Sequence, residues 1–226
     1  PQMFKLKLLL DVFQGKTFPF TDEASAVESL GKTPRLIRGE RKNIKITTPD
    51  DLEIAENWQL KEEGGTTGPN MRIGQGFDVH KFGNEGKFVV LGGVAIPHCA
   101  SLLGHSDADV LIHAICDAIL GAAGLGDIGE WFPDNEPKYK GVDSREILKK
   151  IISSIKTRGL VVHQIDATVI CEEPKITPHK EKMKKILAME TNCSFVNIKA
   201  TTTEMLGSIG RKEGIAAMAS VSLLCE

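Results

Sequence analysis

The stretch Arg72-Ile-Gly-Gln-Gly-Phe-Asp-Val-His80, followed later by His105-Ser-Asp-Ala-Asp-Val-Leu-Ile-His113, decides how the larger part of this chain folds. The first string favours a strand over 72–79. The second predicts a helix over 107–123, because apolar residues recur there at helical spacing. A strand followed by a helix is a building unit of layered α/β domains.

The same alternation continues toward the C-terminus. We predict a helix over 144–156, a strand over 161–170, a helix from 177 to about 190, and strands over 195–202 and 215–224. Shorter strand-forming stretches cover 88–91 and 93–96. Together these elements indicate an α/β (α+β) fold, in which a mixed sheet is covered by helices on one face.

Residues 62–70 contain Gly, Thr, Pro and Asn without apolar periodicity, so we predict a linker there. It would separate a segment over 1–61 from a domain over 71–226. In the first segment we expect helices over 4–13, from Thr21 and from Thr48, and strands over 35–38 and 43–47. Such a small segment would be a marginal, partial α/β unit on its own.

The composition excludes several classes of protein. The net charge of -2 over 226 residues argues against nucleic acid or an anionic membrane as the main partner. No apolar run approaches the ~18 residues of a membrane span. The five cysteines are scattered without a C-x-x-C spacing, which is typical of reduced thiols in a cytosol-like compartment. Because the chain begins at Pro1 without a signal peptide, we expect a fragment of a longer gene product.

Asp78, His80 and His113 are candidate ligands of a catalytic metal ion. Residues i and i+2 of a strand point to the same face, so Asp78 and His80 lie side by side. His113 follows about two turns into the predicted helix. Three protein ligands leave one position open, which is typical of a catalytic zinc site. On spacing alone, the alternative of three unrelated polar residues stays open.

A polar stripe extends this cluster, since His105, Asp109, His113 and Asp117 recur every four residues and would share one helix face. It predicts either a solvated outer face or a metal pocket in which Asp109 or Asp117 orients a ligand. Ser106 with Asp109 has the form of a capping box, which would start the helix at Ser106. Free backbone N–H groups at that helix start would favour phosphate.

Two further clusters suggest phosphate chemistry. The small residues of 121–129, followed by 131–136, let a backbone approach a ligand closely, although a helix C-cap with a turn explains them as well. Lys199-Ala-Thr-Thr-Thr-Glu204, with Arg211 nearby, offers hydroxyls, a carboxylate and a guanidinium that suit a metal-bound diphosphate. A threonine-rich strand end exposed to solvent is the alternative.

In this order the clusters resemble the 2-C-methyl-D-erythritol 2,4-cyclodiphosphate synthase family of the non-mevalonate isoprenoid pathway. The resemblance spans 71–226 through seven strings, at 72–80, 105–113, 126–129, 132–134, 173–175, 199–204 and 210–211. Residues 1–61 resemble the C-terminal part of 4-diphosphocytidyl-2-C-methylerythritol synthase, through 1–4, 21–28, 43–47 and 49–52. The parent is thus similar to a fused bifunctional enzyme. Since the transferase's nucleotide loop would precede Pro1, we expect no transferase activity from this chain.

The resemblance implies an intramolecular reaction. In it, 4-diphosphocytidyl-2-C-methyl-D-erythritol 2-phosphate becomes 2-C-methyl-D-erythritol 2,4-cyclodiphosphate, and CMP leaves. The resemblance implies Zn²⁺ at Asp78, His80 and His113, Mg²⁺ or Mn²⁺ at Glu204, and transition-state roles for His105 and Thr202. The residues implied to bind the substrate are Ser106, Asp127, Gly129, Phe132, Asp134, Lys175, Ala200, Thr201, Thr203 and Arg211.

The resemblance also implies a homotrimer with active sites between subunits. It implies a cytoplasmic location, or a plastid if the parent protein is eukaryotic. Two rival hypotheses are a zinc phosphohydrolase and a non-catalytic remnant of the fused enzyme. The reaction product separates them, since a hydrolase would release linear phosphates and a remnant would release nothing.

Overall fold

The computed structural model describes residues 3–13, 22–35, 37–40, 42–62, 70–133 and 135–225. The chain divides into two compact units, Pro1–Thr67 and Gly68–Glu226. Among the described residues, no helix is both long enough and apolar enough to cross a membrane.

The described residues of the first unit form three helices, namely α1 Leu6–Phe13, α2 Glu23–Glu28 and α3 Pro49–Glu62. Helix α2 is capped by Asp22, while the predicted cap Thr21 lies outside the described residues. The Asp22 carboxylate accepts the Ser25 N–H at 2.8 Å, and the Ser25 hydroxyl returns toward the cap. A short acidic side chain thus replaces the predicted threonine at the helix start.

Helix α3 begins as predicted, with Thr48 before it and Pro49 at its first position. The Asp51 carboxylate accepts the N–H groups of Thr47 and Thr48 at 3.0 and 2.9 Å, and Thr48 Oγ1 accepts the Asp51 N–H at 3.2 Å. These bonds, led by the one from the Thr47 backbone, lower the pKa of Asp51 to about 2, because only the ionised carboxylate accepts them fully.

The two strands predicted in the first unit are wrong. Residues 35, 37–38 and 43–47 have no regular secondary structure, and residue 36 lies outside the described residues. An apolar alternation forms a strand only when a neighbouring strand completes its backbone hydrogen bonds. In the described part of this unit, the regular secondary structure is all helical.

A four-stranded mixed sheet organises the second unit. Its strands, with those of a separate hairpin, are β1 Met71–Lys81, β2 Phe88–Leu91, β3 Val94–Pro97, β4 Leu160–Ile170, β5 Phe195–Thr201 and β6 Gly214–Cys225. The sheet order is β1-β6-β4-β5, while β2 and β3 pair with each other. Strands β4 and β5 run parallel and the other neighbours antiparallel, so the predicted mixed sheet is confirmed.

One row of residues crosses the whole sheet at the level of the predicted metal site. Asp78 pairs with Ala217, Ala217 with Val169, and Val169 with Ala200. Strands β1 and β5 are the two edges of the sheet. Asp78 and Ala200 therefore lie at the same level but three strand spacings apart, which is roughly 14 Å.

Helices cover one face of this sheet, as predicted. Those that pack on it are α4 Val110–Ala123, α6 Ser144–Lys156 and α7 Lys180–Thr191, while the short helices α5 Ile128–Trp131 and α8 Gly207–Gly210 lie in the connections after α4 and before β6. The helix predicted from 177 begins with a 3₁₀ turn over Thr177–His179. Helix α4 is almost wholly buried between the sheet and α6. The opposite face carries exposed apolar side chains, among them Phe77 and Met218.

Strand β1 passes very close to α4 at two glycines. A Cβ atom at Gly76 would lie 2.0 Å from the Ala114 carbonyl oxygen, and one at Gly74 would lie 2.0 Å from that of Ala118. Because side chains alternate along a strand, Asp78 and His80 share the face of these glycines. The close packing therefore places both side chains beneath the start of α4.

Helix α4 starts later than the predicted 107. Ala108 has a φ of 59°, a left-handed conformation that a right-handed helix does not contain. Asp109, and not Ser106, is the N-cap, and its carboxylate accepts the Ile112 N–H at 3.0 Å. The prediction that His113 lies two turns into the helix is therefore wrong, since it lies in the first turn. Ser106 also precedes the helix and does not contribute its first N–H groups.

Candidate functional site

Asp78, His80 and His113 converge as the sequence predicts. Asp78 Oδ2 lies 2.9 Å from His113 Nδ1 and 3.1 Å from His80 Nε2, and the two ring nitrogens are 3.3 Å apart. One potential ligand atom from each residue lies within 4.8 Å of the others. A carboxylate and two imidazoles are a suitable donor set for a divalent transition metal. The group can therefore hold a metal ion.

The electrostatics of the cluster favour a cation. Burial raises the pKa of Asp78, but hydrogen bonds from His113 and His80 outweigh it and hold the pKa well below its usual range. The carboxylate is therefore charged at neutral pH, half-buried and aimed at two imidazoles. A metal ion would take over the role of the protons that these rings now share with Asp78.

The other nitrogens of the two rings have defined contacts, which sequence reasoning missed. His80 Nδ1 lies 2.7 Å from the Leu103 carbonyl oxygen. His113 Nε2 lies 3.0 Å from both Ser106 Oγ and Ser144 Oγ. Ser144 follows His113 by 31 residues at the start of α6, and no local pattern in the sequence links the two. A carbonyl or hydroxyl behind each ring is the arrangement that orients metal ligands in proteins.

A cavity of about 260 Å³ opens beside the cluster. Its lining includes four of the predicted binding or catalytic residues, namely His105, Ser106, Gly129 and Phe132, and also Tyr139, which the sequence did not single out. His105 Nε2 is buried and has no hydrogen-bond partner among the described residues. A buried nitrogen without a partner at a cavity wall is suited to bind a ligand atom.

Asp109 and Asp117 of the polar stripe have different structural roles. Asp109 is fully buried, and its oxygens accept the N–H groups of Gly92, Gly93 and Ile112. It is therefore neither part of a solvated outer face nor the group that orients a metal ligand. Asp117 lines the cavity and accepts the Ile128 N–H at 2.8 Å, while burial raises its pKa.

The glycine-rich turn after α4 brings Asp127 to the same region. Asp127 caps the short helix α5, and its Oδ1 accepts the Glu130 N–H at 2.9 Å. The helix C-cap considered as an alternative is also present, since Gly124 ends α4 with a φ of 69°. The two interpretations are thus compatible. Asp134 lies outside the described residues.

The threonine cluster lies at the opposite edge of the sheet, beyond the end of β5. Thr202 Oγ1 donates to Glu204 Oε1 at 2.8 Å, and Glu204 and Met205 both have positive φ values, of 52° and 64°. Glu172 holds this turn, because its Oε1 accepts the N–H groups of Thr203 and Met205 at 3.0 and 3.3 Å. Sequence reasoning missed Glu172, although it adjoins the matching string at 173–175.

The remaining predicted residues accompany this cluster and not the cavity. Their side chains are mostly exposed, and Arg211 pairs with Glu213 at 2.6 Å. Besides Asp127, which caps α5 beside the cavity, the predicted residues outside the cavity lining are Lys175, Ala200, Thr201, Thr202, Thr203, Glu204 and Arg211. One chain therefore presents the predicted site in two halves, on opposite edges of one sheet.

Comparison with known proteins agrees with both sequence resemblances. A model of the YgbB family matches residues 71–224, and a model of 2-C-methyl-D-erythritol 4-phosphate cytidylyltransferase matches residues 1–60. A 2-C-methyl-D-erythritol 2,4-cyclodiphosphate synthase from Azotobacter vinelandii is 54% identical over 156 residues, which cover 68% of this chain and 99% of that protein. The resemblance of residues 71–226 is thus confirmed.

Two further relatives define the extent of the match. A bifunctional enzyme IspD/IspF from Campylobacter hominis is 45% identical over 223 residues, which cover 99% of this chain but 58% of that protein. The chain thus spans somewhat more than half of that bifunctional relative. A solved structure of IspF from Plasmodium falciparum, in complex with CDP, superposes with a TM-score of 0.61 at 35% identity, covering 71% of this chain and 99% of that one. Through residues 71–224, with a cytidylyltransferase segment before them, the chain belongs to the YgbB family.

Proposed function

We propose that residues 71–226 convert 4-diphosphocytidyl-2-C-methyl-D-erythritol 2-phosphate to 2-C-methyl-D-erythritol 2,4-cyclodiphosphate and CMP. The observation that carries the proposal is the convergence of Asp78, His80 and His113 beside a cavity whose wall holds a buried His105 nitrogen with no hydrogen-bond partner in the described part of the chain. The name of the Azotobacter relative and the CDP in the Plasmodium relative support the same reaction and a cytidine nucleotide ligand.

The reaction needs a folded substrate more than a strong base. The 2-phosphate oxygen attacks the β-phosphorus of the same molecule, and the bond to the CMP oxygen breaks. Both reacting groups are anionic, so the site has to hold them together and offset their charge. In this chain Ser106 and His105 would donate to phosphate oxygens from the cavity wall. The apolar wall at Phe132 would exclude water, which would otherwise compete as the nucleophile.

We assign the metal ions by the chemistry of the donors. Asp78, His80 and His113 would hold Zn²⁺, since one carboxylate and two imidazoles are donors that zinc accepts and three protein ligands leave room for a substrate oxygen. Zn²⁺ bound there supplies positive charge to the phosphate oxygens. The single carboxylate of Glu204 fits Mg²⁺ or Mn²⁺, which proteins bind through few carboxylates together with substrate phosphates.

The nucleotide half of the proposed site is the threonine cluster. Ala200, Thr201, Thr202, Thr203 and Lys175 would hold the cytidine and its diphosphate. Thr202 would stabilise the transition state, and Arg211 would bind phosphate. On the cavity side, Asp127, Gly129 and Asp134 would contact the ribose and the rest of the substrate.

These halves support a homotrimer. Within one chain they are roughly 14 Å apart across the sheet, so they would combine only if the β5 edge of one chain meets the β1 edge of the next. Head-to-tail contacts of this kind close into a ring. The uncovered sheet face, with exposed Phe77 and Met218, supplies apolar surface for such contacts. A trimer is the ring that the family resemblance implies.

Phosphorus NMR tests the reaction directly. With the chain present, we expect the cyclic diphosphate and CMP to appear, and a chelator to stop their formation. His113→Ala should slow CMP release at least roughly 100-fold, while His163→Ala, a matched change outside the cavity, should not. Linear phosphates in place of the ring would indicate a zinc phosphohydrolase. Metal uptake without turnover would indicate a non-catalytic remnant.

Mixing two inactive variants tests the shared site. His113→Ala spoils the metal half and Thr202→Ala the nucleotide half. In a mixed oligomer, some sites combine an intact half from each chain, and random assembly gives about a quarter of the wild-type activity per site. No recovery after joint refolding would show that each site lies within one chain.

The segment before residue 71 and the compartment stay as predictions. The match of residues 1–60 to a cytidylyltransferase supports a parent protein with two activities. We place the boundaries of the first segment, the linker and the second domain at 1–61, 62–70 and 71–226. The bacterial bifunctional relatives support a cytoplasmic location.

A further inference from the structure

The His113 imidazole is contacted on both of its nitrogens. Nδ1 faces Asp78 Oδ2 at 2.9 Å and His80 Nε2 at 3.3 Å. Nε2 faces the hydroxyl oxygens of Ser106 and Ser144, each at 3.0 Å. A neutral imidazole carries one hydrogen, on one nitrogen or the other. The hydroxyls behind the ring therefore influence whether Nδ1 keeps a free lone pair.

Ser144 is committed as a donor elsewhere. It is fully buried at the first position of α6, and its hydroxyl donates to Asp107 Oδ1 at 2.5 Å. The Ser144 N–H also points to Asp107 Oδ2, at 3.3 Å. A carboxylate offers only acceptors, so the hydroxyl hydrogen lies between Ser144 and Asp107. Toward His113, the Ser144 oxygen can then only accept.

We propose that Asp107 and Ser144 are positioning residues that fix the tautomer of His113. With Asp107 holding the Ser144 hydrogen, His113 keeps a hydrogen on Nε2 when a metal ion takes the place of the hydrogen that Nδ1 donates to Asp78, and Nδ1 then presents a lone pair. That lone pair points to Asp78 and His80, where the proposed metal ion would bind. The inference rests on the proposed metal site and adds to it the two residues that prepare one of its ligands.

The same hydrogen fixes the direction of the Ser106 hydroxyl. Ser106 Oγ accepts the Ala108 N–H at 3.1 Å and lies 3.0 Å from His113 Nε2. If Nε2 carries the hydrogen, both bonds use lone pairs of Ser106. Its own hydroxyl hydrogen is then left for an acceptor in the cavity, such as a phosphate oxygen. Asp107 thus acts through Ser144 on the metal ligand His113, and through His113 on the phosphate donor Ser106.

Zinc affinity measured with a chromophoric chelator tests this arrangement without substrate. Ser144→Ala removes one of the two acceptors behind His113, and Asp107→Asn places an NH₂ group among donors or turns the Ser144 hydroxyl toward His113. Each should weaken Zn²⁺ binding roughly 10- to 100-fold. Ser153→Ala, an exposed change on the same helix α6, should leave the affinity within about twofold of wild type.

Nitrogen NMR of the wild-type chain, labelled at histidine and loaded with Zn²⁺, reads the tautomer without relying on any variant. We expect the His113 hydrogen on Nε2 and the metal on Nδ1. Metal on Nε2, or unchanged affinity in both Ser144→Ala and Asp107→Asn, would overturn the inference. If the wild-type chain takes up no Zn²⁺, the proposed metal site itself fails, which is a separate result.

Discussion

The close approach of β1 to α4 makes Gly76→Ala a decisive perturbation. The new Cβ atom would lie 2.0 Å from the Ala114 carbonyl oxygen, whereas ordinary contact begins at 3.4 Å. The helix and strand must therefore separate by about 1.4 Å, the difference of these two distances. Since β1 carries Asp78 and α4 carries His113, the same shift is several times the ~0.2 Å that a metal site tolerates.

Two measurements follow from that displacement. Overpacking of a buried contact costs about 3 kcal/mol, so the melting temperature should fall by roughly 6–12 °C for a chain of this size. Zinc affinity should fall by at least roughly 10-fold. Gly121→Ala is the matched control, because its Cβ would meet only the Gln75 carbonyl oxygen at 3.8 Å. It should stabilise α4 by up to about 1 kcal/mol.

Thermal unfolding followed by circular dichroism, with chelator competition for zinc, checks both effects. The reasoning would be refuted if Gly76→Ala had the same melting temperature as Gly121→Ala and bound zinc with the same affinity. Loss of zinc affinity without loss of stability would show that the helix tilts and does not move away. In that case the displacement would explain the loss of zinc affinity but not a loss of stability.

Three other changes give equally definite expectations. Glu172→Ala should lower the rate of CMP release roughly 10-fold by freeing the turn around Glu204. Glu172→Gln should retain most activity, because its amide oxygen still accepts the Thr203 N–H. Equal losses in both variants would contradict this role. Asp109→Asn should cost about 1–3 kcal/mol in a denaturant titration, because its NH₂ group would face a backbone N–H of the hairpin in the core. The lowered pKa of Asp51 means that its cap stabilises α3 above pH 3.8 and is lost as the pH falls to about 2. Circular dichroism of the chain should show that loss, and Asp51→Ala should show a smaller change over the same range.

The metal cluster was predictable because its geometry is mostly local. Asp78 and His80 share a strand face by the two-residue period alone, and that pairing holds in the structure. The strands and helices of the second unit follow their apolar periods closely for the same reason. His113 joins the cluster as predicted, although its predicted place two turns into the helix is wrong, because the close packing of β1 against α4 at glycines brings it to Asp78.

The remainder required tertiary information. The left-handed Ala108 delays the helix start, and nothing in the residue type favours that conformation. Ser144 reaches His113 from 31 residues away, and Glu172 reaches Thr203 from the same separation. Such contacts depend on how helices and strands pack together, and neither the apolar periodicity nor the helix-capping residues of the sequence predict that packing. The strands predicted in the first unit failed because strand formation also depends on a partner segment.

The placement of the two ligand sets on opposite edges of one sheet determines how many sites stay active in oligomers that mix intact and inactivated chains. If each site takes one edge from each of two neighbours, a chain damaged on one edge disables one site. A chain damaged on both edges disables two, and at each of these sites a neighbour contributes an intact edge. Activity would then fall as the square of the intact fraction, so a doubly damaged allele would behave as dominant-negative toward the wild-type copy.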